Sequence, residues 1–227
     1  ARRRFVSDAS HEMKTPLAGI KLLTDSILQT ENIDPETTRE FVSDIGDEAS
    51  RLERITEDLL RLTRLDSGAI DPAVRVEVKP VLERAFRMLQ PVAKERGVAL
   101  RCQADAAAAV LATSGDVHQI LYNLMENGVK YTPAGGFVHA TVSVREGQVI
   151  MSVEDNGIGI PPEDMPHIFE RFYRVDKARS RQIGGTGLGL SIVGDTVQRR
   201  SGEITVSPRV GGGTVFTVRF PQAEVTA

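Results

Sequence analysis

Two long stretches of helical periodicity, separated by a short loop, leave the first third of this chain with one simple arrangement. Between Phe5 and Leu28, the apolar residues Val6, Met13, Leu17, Ile20, Leu23 and Ile27 recur on one helical face. From about Pro35 to Asp66, Phe41, Ile45, Ala49, Leu52, Ile55, Leu59 and Leu62 follow a near-heptad pattern of the density found in coiled coils. The first helix should run to about Gln29, and Glu31 to Asp34 form the loop. Asp34 is a suitable N-cap and Pro35 a suitable first helical residue, because the amide hydrogen it lacks would be unpaired there. Helices joined so briefly must run antiparallel. The seam pattern favours pairing of two hairpins into a dimeric four-helix bundle; the alternative is a hairpin packed on the rest of its own chain.

Gly68, Asp71 and Pro72 mark a hinge, and the pattern changes beyond it. The expected division is a helical hairpin over 1–67, a hinge over 68–73 and a second domain over 74–227, within what 227 residues allow. Val74, Val76 and Val78 alternate as a strand, and Pro80 to Arg96 reads as a helix closed by Gly97. Val98, Leu100 and Cys102 alternate again, and Asp116 to Lys130 is the next helix. Val138 to Val144 faces Val149 to Val153 across a turn near Gly147, a hairpin pattern. Leu188 to Arg200 gives a further helix; Glu203 to Ser207 and Thr214 to Phe220 are the last strands. The expected second domain is an α+β sandwich, with helices on one face of a mixed sheet.

Composition excludes more than it specifies. A net charge of -3 gives no general reason to expect nucleic acid as a partner. Cys102 is the only cysteine, so neither a disulfide framework nor a zinc site is available, and a reducing, cytoplasmic setting fits. His118, His139 and His167 lack ligand spacing for a transition metal. No run approaches the 18 or so apolar residues of a membrane span. The chain opens with Ala-Arg-Arg-Arg inside a helical pattern and reads as an excised fragment. Arg2 to Arg4 suits either a position after a membrane segment or a solvated helix face.

The chemistry centres on Ser10 to Leu17, Ser-His-Glu-Met-Lys-Thr-Pro-Leu. At about 100° per residue, His11 lies roughly 160° from Met13, whereas Val6, Leu17, Ile20 and Ile27 lie within about 40° of it. His11 therefore points away from the packed seam, with Thr15 on the same outward face and Glu12 on its flank. Pro16 removes the backbone hydrogen bond to the carbonyl of Glu12 and should bend the helix. Taken alone, such a histidine is an ordinary surface residue, and the rest of the chain must say otherwise.

On the next candidate helix Asn123, Asn127 and Lys130 stand at i, i+4 and i+7, one polar stripe within about 40°. Two amide oxygens and an ammonium suit a magnesium-bound phosphate chain, or form a merely solvated face. Asp155-Asn156-Gly157-Ile158-Gly159 follows an alternating strand. Its glycines let the backbone approach a flat ligand, and the carboxylate can accept from an exocyclic amine; a capped glycine turn explains the same residues. Gly184 to Gly189 leads into a helix whose first amides favour anions. Between the two glycine runs, Phe169 and Phe172 anchor a stretch with Lys177, Arg179 and Arg181 at its tip, the layout of a lid or of a solvated loop.

Together and in this order, these motifs resemble a sensor histidine kinase of two-component signalling over essentially the whole chain. Ser10 to Leu17 is similar to the phosphoacceptor box, Asn123 to Lys130 to the asparagine box and Asp155 to Gly159 to the first glycine box. Phe169 to Phe172 is similar to the phenylalanine box and Gly185 to Gly189 to the second glycine box. The resemblance implies a dimerisation and phosphotransfer hairpin followed by a Bergerat-type ATP-binding domain. It implies that His11 takes the γ-phosphoryl group of ATP and passes it to an aspartate of a response regulator. Glu12 would be the general base, Thr15 would orient water in a phosphatase reaction, and Arg174 would contact the transferring phosphate. Asn127 would bind Mg2+ with Asn123 assisting, and Asp155 would read adenine. Lys130, Tyr131, Gly157, Gly159, Gly185, Thr186, Gly187, Leu188 and Gly189 would complete the nucleotide site. A homodimer, a regulator receiver domain as partner and a cytoplasmic position in a membrane-anchored bacterial sensor are also implied, with contact to the membrane only through upstream segments. The family usually has alanine where this chain has Gly128, which reads as a slight loosening of the helix, worth about 1 kcal/mol.

Two other readings compete. Bergerat ATPases of the gyrase, chaperone or mismatch-repair type place a glutamate four residues before the magnesium asparagine, where this chain has Asn123. A degenerate kinase serving as a dimeric scaffold would need none of the catalytic residues, all of which are present.

Overall fold

The computed structural model describes residues 2–30, 32–67, 71–176 and 185–224. Contacts group the chain into two units, one of Ala1–Gly68 with Arg171–Leu188 and the other of Ala69–Glu170 with Gly189–Ala227.

The first unit is built on helices α1 (Arg2–Gln29) and α2 (Pro35–Asp66). Asp34 caps α2 as expected: its Oδ1 accepts from the amides of Glu36 and Thr37 at 3.0 and 2.9 Å. Helix α1 continues through Pro16, which is buried. Its seam is partly the expected one. Met13, Ile20, Leu23 and Ile27 are half-buried, whereas Leu17 is 58% exposed. Leu22, Leu28, Val42 and Leu60 are also exposed. Two helices can cover one stripe on each other and no more, so these side chains remain uncovered within the hairpin.

The second unit holds a five-stranded sheet of order β2-β4-β5-β7-β6 and a two-stranded sheet of β1 (Val74–Glu77) with β3 (Ala109–Ala112). The strands of the larger sheet are β2 (Ala99–Ala104), β4 (Phe137–Arg145), β5 (Gln148–Asp155), β6 (Glu203–Pro208) and β7 (Thr214–Pro221). β2 and β4 are parallel and the other pairings antiparallel, so the sheet is mixed as expected. Helices α3 (Val78–Glu95), α4 (Ser114–Tyr131) and α5 (Gly189–Arg199) supply the opposing layer. Val138, Ala140 and Val142 of β4, Val149, Met151 and Val153 of β5, and Phe216, Val218 and Phe220 of β7 bury one sheet face beneath Leu121, Leu124, Met125 and Ile192. Intervening residues such as Thr141, Ser152 and Thr217 are half-exposed, the alternation of a sheet packed on one side.

Three boundaries differ from the sequence reading. Val78 opens α3 instead of ending a strand, with its amide donating to the carbonyl of Ala108 at 2.9 Å. Strand β3 lies in an alanine-rich run with no strand signal of its own; β1 specifies it by pairing. Helix α4 starts at Ser114, where Thr113 and Asp116 form a reciprocal capping box. Asp116 also pairs with Arg200 at 2.7 Å, and Arg200 Nη1 donates to the carbonyl of Asp71 at 3.0 Å, fixing the far end of the expected hinge on this unit.

Candidate active site

In the second unit, the period of two along β5 carries past Val149, Met151 and Val153 to put Asp155 on the helix side of the sheet at the strand's last position. Asp155 is 7% exposed. Its Oδ1 accepts from the amide of Gly157 at 2.8 Å and from that of Thr214 at 3.3 Å, which leaves Oδ2 to meet a ligand donor. Burial is the largest influence on this carboxyl and raises its pKa; the two amides and the Arg209 guanidinium pull the other way, and Glu154 adds to the rise.

Glycines set how closely the surrounding backbone packs. A Cβ on Gly157 would lie 2.5 Å from the carbonyl oxygen of Tyr131, and one on Gly213 would lie within 2.7 Å of the Cα of Asn156. Gly159 has a φ of 72°, which suits glycine. Thr132 Oγ1 is buried beside this loop with no hydrogen-bond partner among the described residues.

On α4, Asn123 is buried and its Nδ2 donates to the carbonyl of Gly189 at 3.1 Å, so Oδ1 is the atom left for a cation or water. Asn127 and Tyr131 are half-buried on the same helix. Lys130 pairs with Glu126 at 3.0 Å, so its ammonium is held near the stripe by its own helix. Gly128 is not the loosening the sequence suggested. A Cβ there would meet both γ carbons of buried Val138 at 2.9 Å, so glycine is what lets α4 lie this close to β4.

In the first unit His11 is exposed, as the helical spacing required. Thr15 is exposed too, and its hydroxyl donates to the carbonyl of His11 at 3.3 Å. Glu12 Oε2 meets Arg174 Nη2 at 2.7 Å and Arg51 Nη2 at 3.6 Å. Arg174 therefore engages the carboxylate next to the histidine. Its neighbours hold to the hairpin as well. Arg171 forks Asp66 at 2.9 and 2.7 Å and lies over the ring of Phe5, 5.3 Å from its centroid. The ring of Phe172 is 5.9 Å from that of Phe5.

The second glycine box groups with this unit up to Leu188. Thr186 Oγ1 donates to Asp58 at 2.9 Å and accepts from the amide of Leu188 at 3.2 Å. Gly187, at φ 72°, accepts from the amide of Phe172 at 2.8 Å, which ties these two described residues together. Gly185 is half-buried, and Gly189 opens α5 in the other unit. Phe169 also belongs to the other unit, packing edge-on against Phe216 at 6.5 Å. The basic tip expected at Lys177, Arg179 and Arg181 lies outside the described residues, as does Gly184.

Comparison with known families fits both halves of this layout. Residues 1–68 match the His Kinase A (phospho-acceptor) domain, and residues 112–224 match the histidine kinase-, DNA gyrase B- and HSP90-like ATPase family. The chain is the catalytic core of a two-component sensor histidine kinase. It is similar to the sensor-like histidine kinase SenX3 of Mycobacterium tuberculosis, 36% identical over 222 residues, covering 97% of this chain and 54% of SenX3. The chain thus spans about half the length of that relative. Among solved structures it is similar to full-length ShkA in complex with AMPPNP, at 30% identity and a TM-score of 0.71, over 99% of this chain and 47% of ShkA. ThkA in complex with the response regulator TrrA shares the fold at 22% identity and a TM-score of 0.75, over 97% of this chain and 61% of that one. No helix among the described residues is long and apolar enough to cross a membrane.

For this kinase core, the sequence reading missed Arg51, Thr132 and the Gly213–Thr214 corner beside Asp155. Arg51 was visible as a charge on the seam side of α2, one turn before Ile55. Thr132 and Gly213 carried no periodic signal, because loop closure and not a repeating face sets their positions.

Proposed function

We propose that this core transfers the γ-phosphoryl group of ATP to His11 and then to an aspartate in the receiver domain of a response regulator. A nitrogen of the His11 ring attacks the γ-phosphorus, the bond to the β–γ bridging oxygen breaks with its electron pair leaving on ADP, and Glu12 accepts the imidazole proton. Phosphoryl transfer needs mainly alignment and charge neutralisation. The observation that carries this reading is the exposed His11 followed by Glu12, whose carboxylate is flanked by Arg174 and Arg51.

Asp155 reads the adenine amine through Oδ2, with Gly157 and Gly159 allowing the flat base to approach and Tyr131 lining the site. The donor set on α4 fits Mg2+, since amide oxygens are hard ligands and no cluster of histidine, cysteine and carboxylate competes among the described residues. Asn127 would hold the ion with Asn123 Oδ1 assisting, and the ion would offset the charge of the phosphate chain. Lys130 screens the same phosphates. Gly185, Thr186, Gly187, Leu188 and Gly189 would complete the nucleotide site with their backbone amides. ShkA, which this chain resembles, is in complex with AMPPNP, and that supports nucleotide binding.

The working division is a hairpin over 1–67, a hinge over 68–73 and an ATP-binding domain over 74–227. The uncovered Leu17, Leu22, Leu28, Val42 and Leu60 support a second hairpin and a homodimeric four-helix bundle. Thr15, on the face of His11, orients water for dephosphorylation of the regulator. In the longer protein, this core lies on the cytoplasmic side of a membrane-anchored bacterial sensor. The test is a chase: the labelled core should lose its phosphoryl group to a receiver domain and retain it with a receiver whose acceptor aspartate is asparagine. Retention with both would overturn the transfer.

A further inference from the structure

The three buried residues of α2 are Arg51, Ile55 and Leu62. Two are what a helical seam calls for, and the third is a cation. A leucine or methionine would fill that layer without desolvating a charge, and a buried guanidinium is tolerated only where opposite charge meets it. One charge that meets Arg51 is the carboxylate of Glu12, at 3.6 Å from Nη2 to Oε2, and Glu12 directly follows the phosphoacceptor in α1.

Arg174 reaches the same oxygen at 2.7 Å, yet the two arginines are held differently. Arg51 stands on α2, whose packing against α1 fixes it. Arg174 stands on an irregular segment, beyond Phe172 with its φ of 63° and before residues outside the description. Arg174 cannot serve the transferring phosphate and Glu12 with the same nitrogen. When it turns to the phosphate, the carboxylate keeps Arg51.

We propose that Arg51 is a positioning residue for the phosphoryl-transfer step. It holds the carboxylate of Glu12 beside the imidazole of His11 while Arg174 exchanges that carboxylate for the phosphate. The role rests on the reading of Glu12 as the base. Arg51 touches neither nucleotide nor the reacting atoms, so its loss acts on the rate of transfer and not on ATP binding. Lysine supplies the charge without the planar guanidinium, and so restores part of the effect.

The test is single-turnover autophosphorylation across ATP concentrations, with Arg51→Met and Arg51→Lys each made in Glu12 and Glu12→Gln backgrounds of the whole chain. Arg51→Met should lower the maximal rate roughly 10- to 100-fold, the scale of a misplaced catalytic group, and leave half-saturation by ATP within about twofold. Arg51→Lys should fall between it and wild type. In the Glu12→Gln background, Arg51→Met should change the rate by less than about twofold, because coupled residues lose their effect together. An undiminished loss in that background, or a change confined to half-saturation, overturns the role of Arg51 and leaves that of Glu12 standing. A Glu12→Gln chain as active as wild type overturns the reading of Glu12 as base, and the role of Arg51 with it. Methionine suits the buried layer, so a variant that melts like wild type and still transfers slowly separates positioning from folding.

Discussion

Arg174 Nη2 lies 2.7 Å from Glu12 Oε2, so the arginine expected to serve the phosphate and the carboxylate expected to serve the histidine hold each other. The Arg174 side chain is 5% exposed, which makes this a desolvated pair and not a surface contact. In the proposed transfer step they must part. Arg174→Gln should lower the autophosphorylation rate by about 100-fold, the order of losing one group that stabilises transition-state charge, with a smaller effect on nucleotide affinity. Rapid-quench labelling beside a nucleotide titration measures both. A rate equal to wild type would mean that Arg174 serves only the pairing with Glu12.

Thr15 separates the two activities expected of the hairpin. Its hydroxyl faces solvent beside His11 and turns back to that residue's carbonyl at 3.3 Å, a contact weak enough to exchange for water. Thr15→Ala should slow dephosphorylation of the phosphorylated regulator roughly 10-fold or more and leave autophosphorylation within about twofold. Equal losses in parallel assays would count against a water-orienting role.

Asp155 should give nucleotide binding and stability opposite dependences on pH. Its pKa is raised in the folded chain, chiefly by burial. The native state therefore takes up its proton more readily than the unfolded state, and loses stability as pH climbs from the unfolded pKa through the raised one. An adenine amine donating to Oδ2 favours the charged form, so affinity should fall as pH drops through that raised value. Asp155→Asn keeps an acceptor for Gly157 and Thr214 and removes the charge. Its melting temperature relative to wild type should improve as pH rises, while nucleotide affinity drops about 10- to 100-fold, the scale of a hydrogen bond to a charged group. Melting curves from pH 4 to 8, with a fluorescent nucleotide titration, test this; an asparagine variant that loses ground as pH rises would contradict it.

Gly128 and Val138 should behave as a pair. Alanine at 128 gains about 1 kcal/mol of helix propensity, but its methyl would sit 2.9 Å from two carbons of a stiff, buried valine. Overpacking of this kind costs about 1–3 kcal/mol. Gly128→Ala alone should be neutral to destabilising, and Val138→Ala made with it should recover more than either change predicts singly. Strict additivity in denaturant melts would show that the helix does not press on the strand there.

The elements that follow a repeating face were legible in the sequence: both hairpin helices, α4, the β4–β5 hairpin and the outward aspect of His11 all appear as periodicity predicts. What periodicity does not encode was missed. β3 forms from alanine-rich sequence because β1 offers it a ladder. Gly128 looked like a weakness until Val138 was seen to fill the space a methyl would need. Leu17 fits the seam by angle, yet one partner helix covers too narrow a stripe to bury it. The asparagine stripe and the first glycine box were readable because a helix and a strand fix them. The partners of Arg174 and Thr186 were not, since those residues lie on an irregular segment.

Every proposed role in this core depends on His11 carrying the phosphoryl group. Intact-mass measurement after incubation with Mg-ATP, repeated after brief acid treatment, tests it on the wild type beside His11→Gln. The wild type should carry a single phosphoryl adduct that acid removes, and the variant none. An adduct of equal size on His11→Gln, or steady phosphate release without any adduct, would contradict it.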